Sequence, residues 1–118
     1  VASGQNLTSE ALHDLLLHTL EDYKAVDIVT IPLKGRATFA DTLLIASGTS
    51  SRHVSSMADA LSKVLHAHGL PAKMEGQEGG EWVVVDAVDV VVHLFQPEAR
   101  LLYNLEKLWS FPAEKELA

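Results

Sequence analysis

The chain contains no cysteine. That absence excludes a disulfide framework, a thiolate metal site and a thiol nucleophile, and it fits a cytosolic protein. No apolar run approaches the ~20 residues a helix needs to cross a bilayer, and the first residues lack a signal-peptide layout. Basic residues are scarce: nine Lys and Arg stand against sixteen Asp and Glu, a formal net charge of −7. So acidic a chain is poorly suited to gripping phosphate backbones. It suits a basic protein partner, because opposite potentials steer encounter. The motifs G-x-x-x-x-G-K-S/T, H-E-x-x-H and G-x-S-x-G are also missing. With them go the sequence signs of a P-loop, a zinc hydrolase and a nucleophile elbow.

What remains is an ordinary globular composition, 118 residues with 47% apolar and 21% charged, enough for one independent core. A single domain is expected over 8–111, with a flexible N-terminal end at 1–7 and a short polar tail at 112–118. The dominant stretch is Trp82-Val83-Val84-Val85-Asp86-Ala87-Val88-Asp89-Val90-Val91-Val92-His93-Leu94-Phe95. Two β-branched runs separated by an Asp-bounded turn predict a hairpin. Both runs are apolar on both faces, so the strands should be covered on both sides or paired centrally.

Around this hairpin the order α-β-β-α-β-β-β-α is predicted. A first helix runs from Thr8 to about Lys24, capped by Thr8 or Ser9, with Leu12, Leu15, Leu16, Leu20 and Tyr23 recurring at helical steps. Val26 to Leu33 is extended and stopped by Pro32. Lys34 to Thr38 is a polar connection, and Thr42 to Ser47 is a short buried strand. Gly48-Thr49-Ser50-Ser51 turns into a second helix with the stripe Val54, Met57, Ala58, Leu61, Val64 and Leu65, ended by Gly69 and Pro71. Ala72 to Glu75 is a short strand, and Gln77 to Glu81 is a loop. Pro97 opens a last helix whose inner face is Leu101, Leu102, Leu105, Leu108 and Trp109. The fold class is therefore α/β, a mixed sheet of about five strands with helices packed on it.

Several constellations could carry chemistry. Glu75, Asp86 and Asp89 could hold Mg²⁺ and a nucleotide. However, Asp86 and Asp89 are three apart across a turn, where two side chains on one strand face need a spacing of two. The plainer reading is that these side chains bond their own turn. Ser47 to Ser51 could receive an anion at a helix N-terminus, but an N-cap turn explains the same residues. Six histidines show no ligand spacing, and a Ser50-His53-Asp86 triad has no motif behind it. His93 is different, a polar ring interrupting an apolar strand. Trp82, Phe95 and Tyr103 are aromatics of the kind that anchor protein contacts.

The ordered pieces resemble the ribosomal silencing factor family, also called Iojap-like or RsfS. They are Ala40-Asp41, then Ala46-Ser47-Gly48-Thr49-Ser50 with Arg52, then Glu75-Gly76. Trp82, Asp86 and Asp89 follow, then Val92-His93-Leu94-Phe95, Arg100, and Leu102-Tyr103-Asn104-Leu105-Glu106-Lys107-Leu108-Trp109. The resemblance implies a sheet shaped like that of nucleotidyltransferases but without their catalytic carboxylates, with no cofactor and no metal. It implies binding to ribosomal protein fourteen of the large subunit, where the small subunit would dock, and repression of translation by steric blockage. A bacterial cytoplasm or an organelle matrix is the expected location. Trp82, Asp86, Asp89, His93, Phe95 and Tyr103 are expected to bear or shape the contact surface.

Two departures stand out: Thr42 where the family commonly has an aromatic, and Val88 where it often has Gly. Because a β-branched residue resists positive φ, the turn is expected to need no left-handed residue at Val88. The competing function is a divalent-metal-dependent nucleotidyltransferase. Self-association as a homodimer through an exposed sheet edge is a third option.

Overall fold

The computed structural model describes residues 8–33 and 40–103, apart from the side chains of Leu102 and Tyr103. The predicted order holds: α1 (Ser9–Asp22), β1 (Val26–Pro32), β2 (Thr42–Ser47), α2 (Ser51–Ala67), β3 (Lys73–Glu75), β4 (Trp82–Asp86), β5 (Val90–Phe95) and α3 (Pro97–Tyr103). Lys34 to Thr38 and the Leu105, Leu108 and Trp109 positions lie outside the described residues.

Local chemistry sets the helix ends. The Thr8 hydroxyl accepts from Ala11 N–H and the Ser50 hydroxyl from His53 N–H, each satisfying a donor the first turn leaves open. Both helices close in the same way, with the residue after the C-cap left-handed: Lys24 at φ 63° and Gly69 at φ 68°. Ala25 N–H then returns to Leu20 O and Lys24 N–H to Glu21 O, as Leu70 N–H does to Leu65 O and Gly69 N–H to His66 O, the paired closing bonds of a Schellman end in each helix. This ending turns Tyr23 outward, 46% exposed, and removes it from the predicted stripe. The stripe of α1 is Leu12, Leu16 and Leu20.

The five strands form one mixed sheet in the order β1-β2-β5-β4-β3. β2 and β5 are parallel, and the other neighbours are antiparallel. The hairpin strands β4 and β5 are thus interior, as their apolar runs require. Alternation sorts their side chains. Val83, Val85, Val90, Val92 and Leu94 join the α1 and α2 stripes in the larger core cluster. Phe95 joins Ile31, Leu43, Ile45 and Ala99 in a smaller cluster on the opposite face. There Trp82, Val84, Val91 and His93 are only half-buried, so this second face is less fully covered than the helix face. Leu101, predicted to face inward, is 80% exposed, and Ala99 is the α3 residue that packs on the sheet.

Val88 corrects the expectation for the hairpin turn. Its φ is +74°, and Asp89 N–H bonds Ala87 O across it at 2.9 Å, a tight three-residue turn of the strained, positive-φ kind. Ala87 N–H donates to Val90 O and Val88 N–H to Asp86 Oδ1, fastening the turn from both sides, so the closure imposes a geometry that the β-branched side chain disfavours. Val88→Gly is expected to raise stability by about 1 kcal/mol. Strain relief exceeds the added chain entropy, and little burial is lost because Val88 is exposed. Urea unfolding of the two proteins checks it.

Candidate functional site: the open face of the hairpin

Register brings three of the predicted residues together. Trp82 lies opposite Phe95, and Val84 lies opposite His93; residues two apart share a face, so Trp82, Val84, His93 and Phe95 form one patch. The Trp82 and Phe95 rings stack at 5.2 Å between centroids and 24° between planes. His93 lies 5.8 Å from Trp82 and 6.2 Å from Phe95. Trp82 Nε1–H donates to His93 Nδ1 at 2.9 Å. Burial pushes the His93 imidazole down to about 4, because desolvation disfavours its charged form.

The members differ in exposure. Phe95 is fully buried and forms the floor on which Trp82 stacks. Trp82 and His93 are half-buried and reach the surface. Asp86 is on the same face at the far end of β4, opposite Val91, and its carboxylate accepts from Val88 N–H at 2.9 Å. Self-bonding of the turn was anticipated for both Asp86 and Asp89, and among the described residues Asp86 is the one whose carboxylate does it. Asp89 is exposed, and its carbonyl accepts from Asp41 N–H and Thr42 N–H, tying the hairpin turn to the start of β2. Tyr103 ends α3, and its side chain lies outside the described residues. Val84 and Val91 complete the patch and were not singled out in sequence, although the period of two in each run placed them there.

The open end of the hairpin is fixed by small residues and amides. Gly76, at φ +90°, passes so close to Trp82 that a Cβ would meet its carbonyl oxygen, which only glycine allows. Gln96 Nε2 donates to Gly80 O, and Gln96 N–H to Glu81 O. Arg100 Nη1 donates to the buried Ser47 Oγ at 2.7 Å, anchoring α3 to β2. These bonds hold Trp82 and Phe95 opposite each other.

The other constellations fall apart in space. His53 receives Thr49 N–H on Nδ1, a bond within the turn that leads into α2, and bonds Tyr23 O at the end of α1 through Nε2, so both ring nitrogens are engaged, the second in joining α2 to α1. Ser50 follows the C-terminal end of β2, whereas Asp86 lies at the other end of the sheet, roughly 17 Å away along a six-residue strand. Among the described residues no group of three or more His, Asp or Glu could hold a metal ion. No helix among them is long and apolar enough to cross a membrane.

These features describe a small mixed α/β protein with an aromatic-rich sheet face. The family profile described as "Ribosomal silencing factor during starvation" matches residues 6–117. Ribosomal silencing factor RsfS of Zymomonas mobilis is 44% identical over 108 residues, 91% of this chain and 81% of that protein. The mouse "Mitochondrial assembly of ribosomal large subunit protein 1" is 38% identical over 101 residues, 82% of this chain and 44% of that protein. An X-ray structure of a Chromobacterium violaceum protein aligns with a TM-score of 0.85 at 32% identity, covering 94% of this chain and 99% of the other. The chain belongs to the ribosomal silencing factor family.

Proposed function

We propose that this protein represses translation by docking on ribosomal protein fourteen of the large subunit and sterically preventing the small subunit from joining. Membership of a family named for ribosome silencing supports the reading, as does a relative named for assembly of the large subunit. The observation that carries it to particular residues is the half-buried Trp82–His93 pair on a buried Phe95 floor. Large aromatics on a rigid support are the usual anchors of protein contacts. The net charge of −7 favours approach to a basic ribosomal protein. In this reading the protein performs no chemistry. It acts by occupying a surface, with Asp86 and Asp89 beside the aromatic patch facing basic partner residues.

Co-sedimentation with purified large subunits tests it. The wild-type protein should pellet with large subunits, and Trp82→Ala should bind about thirtyfold more weakly, the loss of roughly 2 kcal/mol expected of an anchor. Equal pelleting of both proteins would remove Trp82 from the docking surface.

A further inference from the structure

His93 interrupts an apolar patch, and its hydrogen bonding fixes which atom it offers to a partner. An indole N–H can only donate. With Trp82 Nε1 2.9 Å from His93 Nδ1, that ring nitrogen must accept, and a neutral imidazole then carries its one proton on Nε2. No group among the described residues bonds Nε2, and it is not a buried atom lacking a partner. It therefore reaches solvent.

The surroundings make this N–H conspicuous. Strand register places Glu75, Val84, His93, Ile45 and Val29 in one row across the sheet. Among these the other ionisable group is Glu75, two strands away, roughly 10 Å. Asp86 and Lys73 pair two rows nearer the hairpin turn, in the next row on this face. Arg100 lies off the row and bonds Ser47. Among the described residues, the side chains that flank the imidazole on this face are thus apolar or aromatic: Val84, Ile45, Val91, Phe95 and the Trp82 ring.

We propose that His93 Nε2–H is the polar recognition point of this face, donating one hydrogen bond to an uncharged oxygen of the docked protein, a backbone carbonyl. Trp82 is then a positioning residue as well as an anchor, because its indole holds the imidazole in the required tautomer. The inference rests on the docking reading above and names the contact within it. A carbonyl is assigned over a carboxylate because an apolar patch penalises a buried charge that meets only a neutral donor. In the complex this bond gives register to an otherwise non-directional contact.

Two measurements test it. Long-range ¹H–¹⁵N correlation on the free protein at neutral pH should show His93 protonated on Nε2 and bare on Nδ1. A proton on Nδ1 would overturn the assignment. In co-sedimentation with large subunits, His93→Phe keeps an aromatic ring beside Trp82 and Phe95 but has no N–H, and should bind about tenfold more weakly. If His93→Phe binds like wild type while Trp82→Ala does not, the recognition point fails and the docking face stands. If both bind like wild type, the docking reading fails with it. Should His93→Phe not fold, His93→Gln can accept from Trp82 and still offer an N–H, and should bind within about threefold of wild type. A loss as large as that of Trp82→Ala would overturn the proposal.

Discussion

Phe95→Ala is expected to destabilise the protein by about 4 kcal/mol and, as a consequence, to weaken docking. The ring has no exposed surface and packs in the smaller cluster with Ile31, Leu43, Ile45 and Ala99. Truncating a fully buried aromatic forfeits its transfer free energy and leaves a cavity. Collapse is hindered, because Phe95 is the last residue of β5, hydrogen-bonded through its carbonyl to Gly48 N–H and paired with Trp82 and Ser47. The stacked contact with Trp82 at 5.2 Å adds about 1 kcal/mol. Urea unfolding measures the stability change. A loss below about 1 kcal/mol would mean that the face has another floor.

The second large effect is a dependence of stability on pH through His93. Its folded-state value lies near 4 against an ordinary 6.5. Above about pH 6.5 the imidazole is neutral in both the folded and unfolded chains, and its contribution is constant. Below that, the unfolded chain takes up a proton that the native state refuses, so stability falls as pH falls until the folded group itself titrates near 4. The slope approaches 1.4 kcal/mol per pH unit, about 3 kcal/mol over the whole window. The geometry agrees in sign. A proton on Nδ1 would face the Trp82 N–H and leave two donors opposed. Comparing wild type with His93→Gln from pH 7.5 to 5 isolates the effect. The wild type should lose about 2 kcal/mol relative to the variant, and parallel curves would show that His93 does not titrate as its burial requires.

Much of this was legible in the residues. The element order and the interior position of the hairpin followed from periodicity and unbroken β-branched runs, and hydroxyl placement narrowed each cap to two neighbours, Thr8 or Ser9 and Ser50 or Ser51, of which the structure uses Thr8 and Ser50. The self-bonding of Asp86 followed from its spacing. Other features depended on three-dimensional closure. Val88 takes a positive φ because bonds on both sides of the turn demand it, whereas local preference alone pointed the other way. Tyr23 and Leu101 fit an apolar count but fall where α1 ends and where the face of α3 turns from the sheet. Trp82, His93 and Phe95 were each visible as candidates. Their union into one stacked patch needed the β4–β5 register, as did the Trp82–His93 bond that decides the tautomer. Family resemblance supplied the ribosome, which no composition or spacing could.

Subunit joining tests the central claim most directly. Large subunits are preincubated with the protein, small subunits are added, and the joined ribosome is followed by light scattering and gradient sedimentation. Occlusion by docking predicts that wild-type protein suppresses joining in proportion to its occupancy of the large subunit, and that Trp82→Ala at the same concentration leaves joining largely intact. Undiminished joining at saturating occupancy by the wild-type protein would contradict the account.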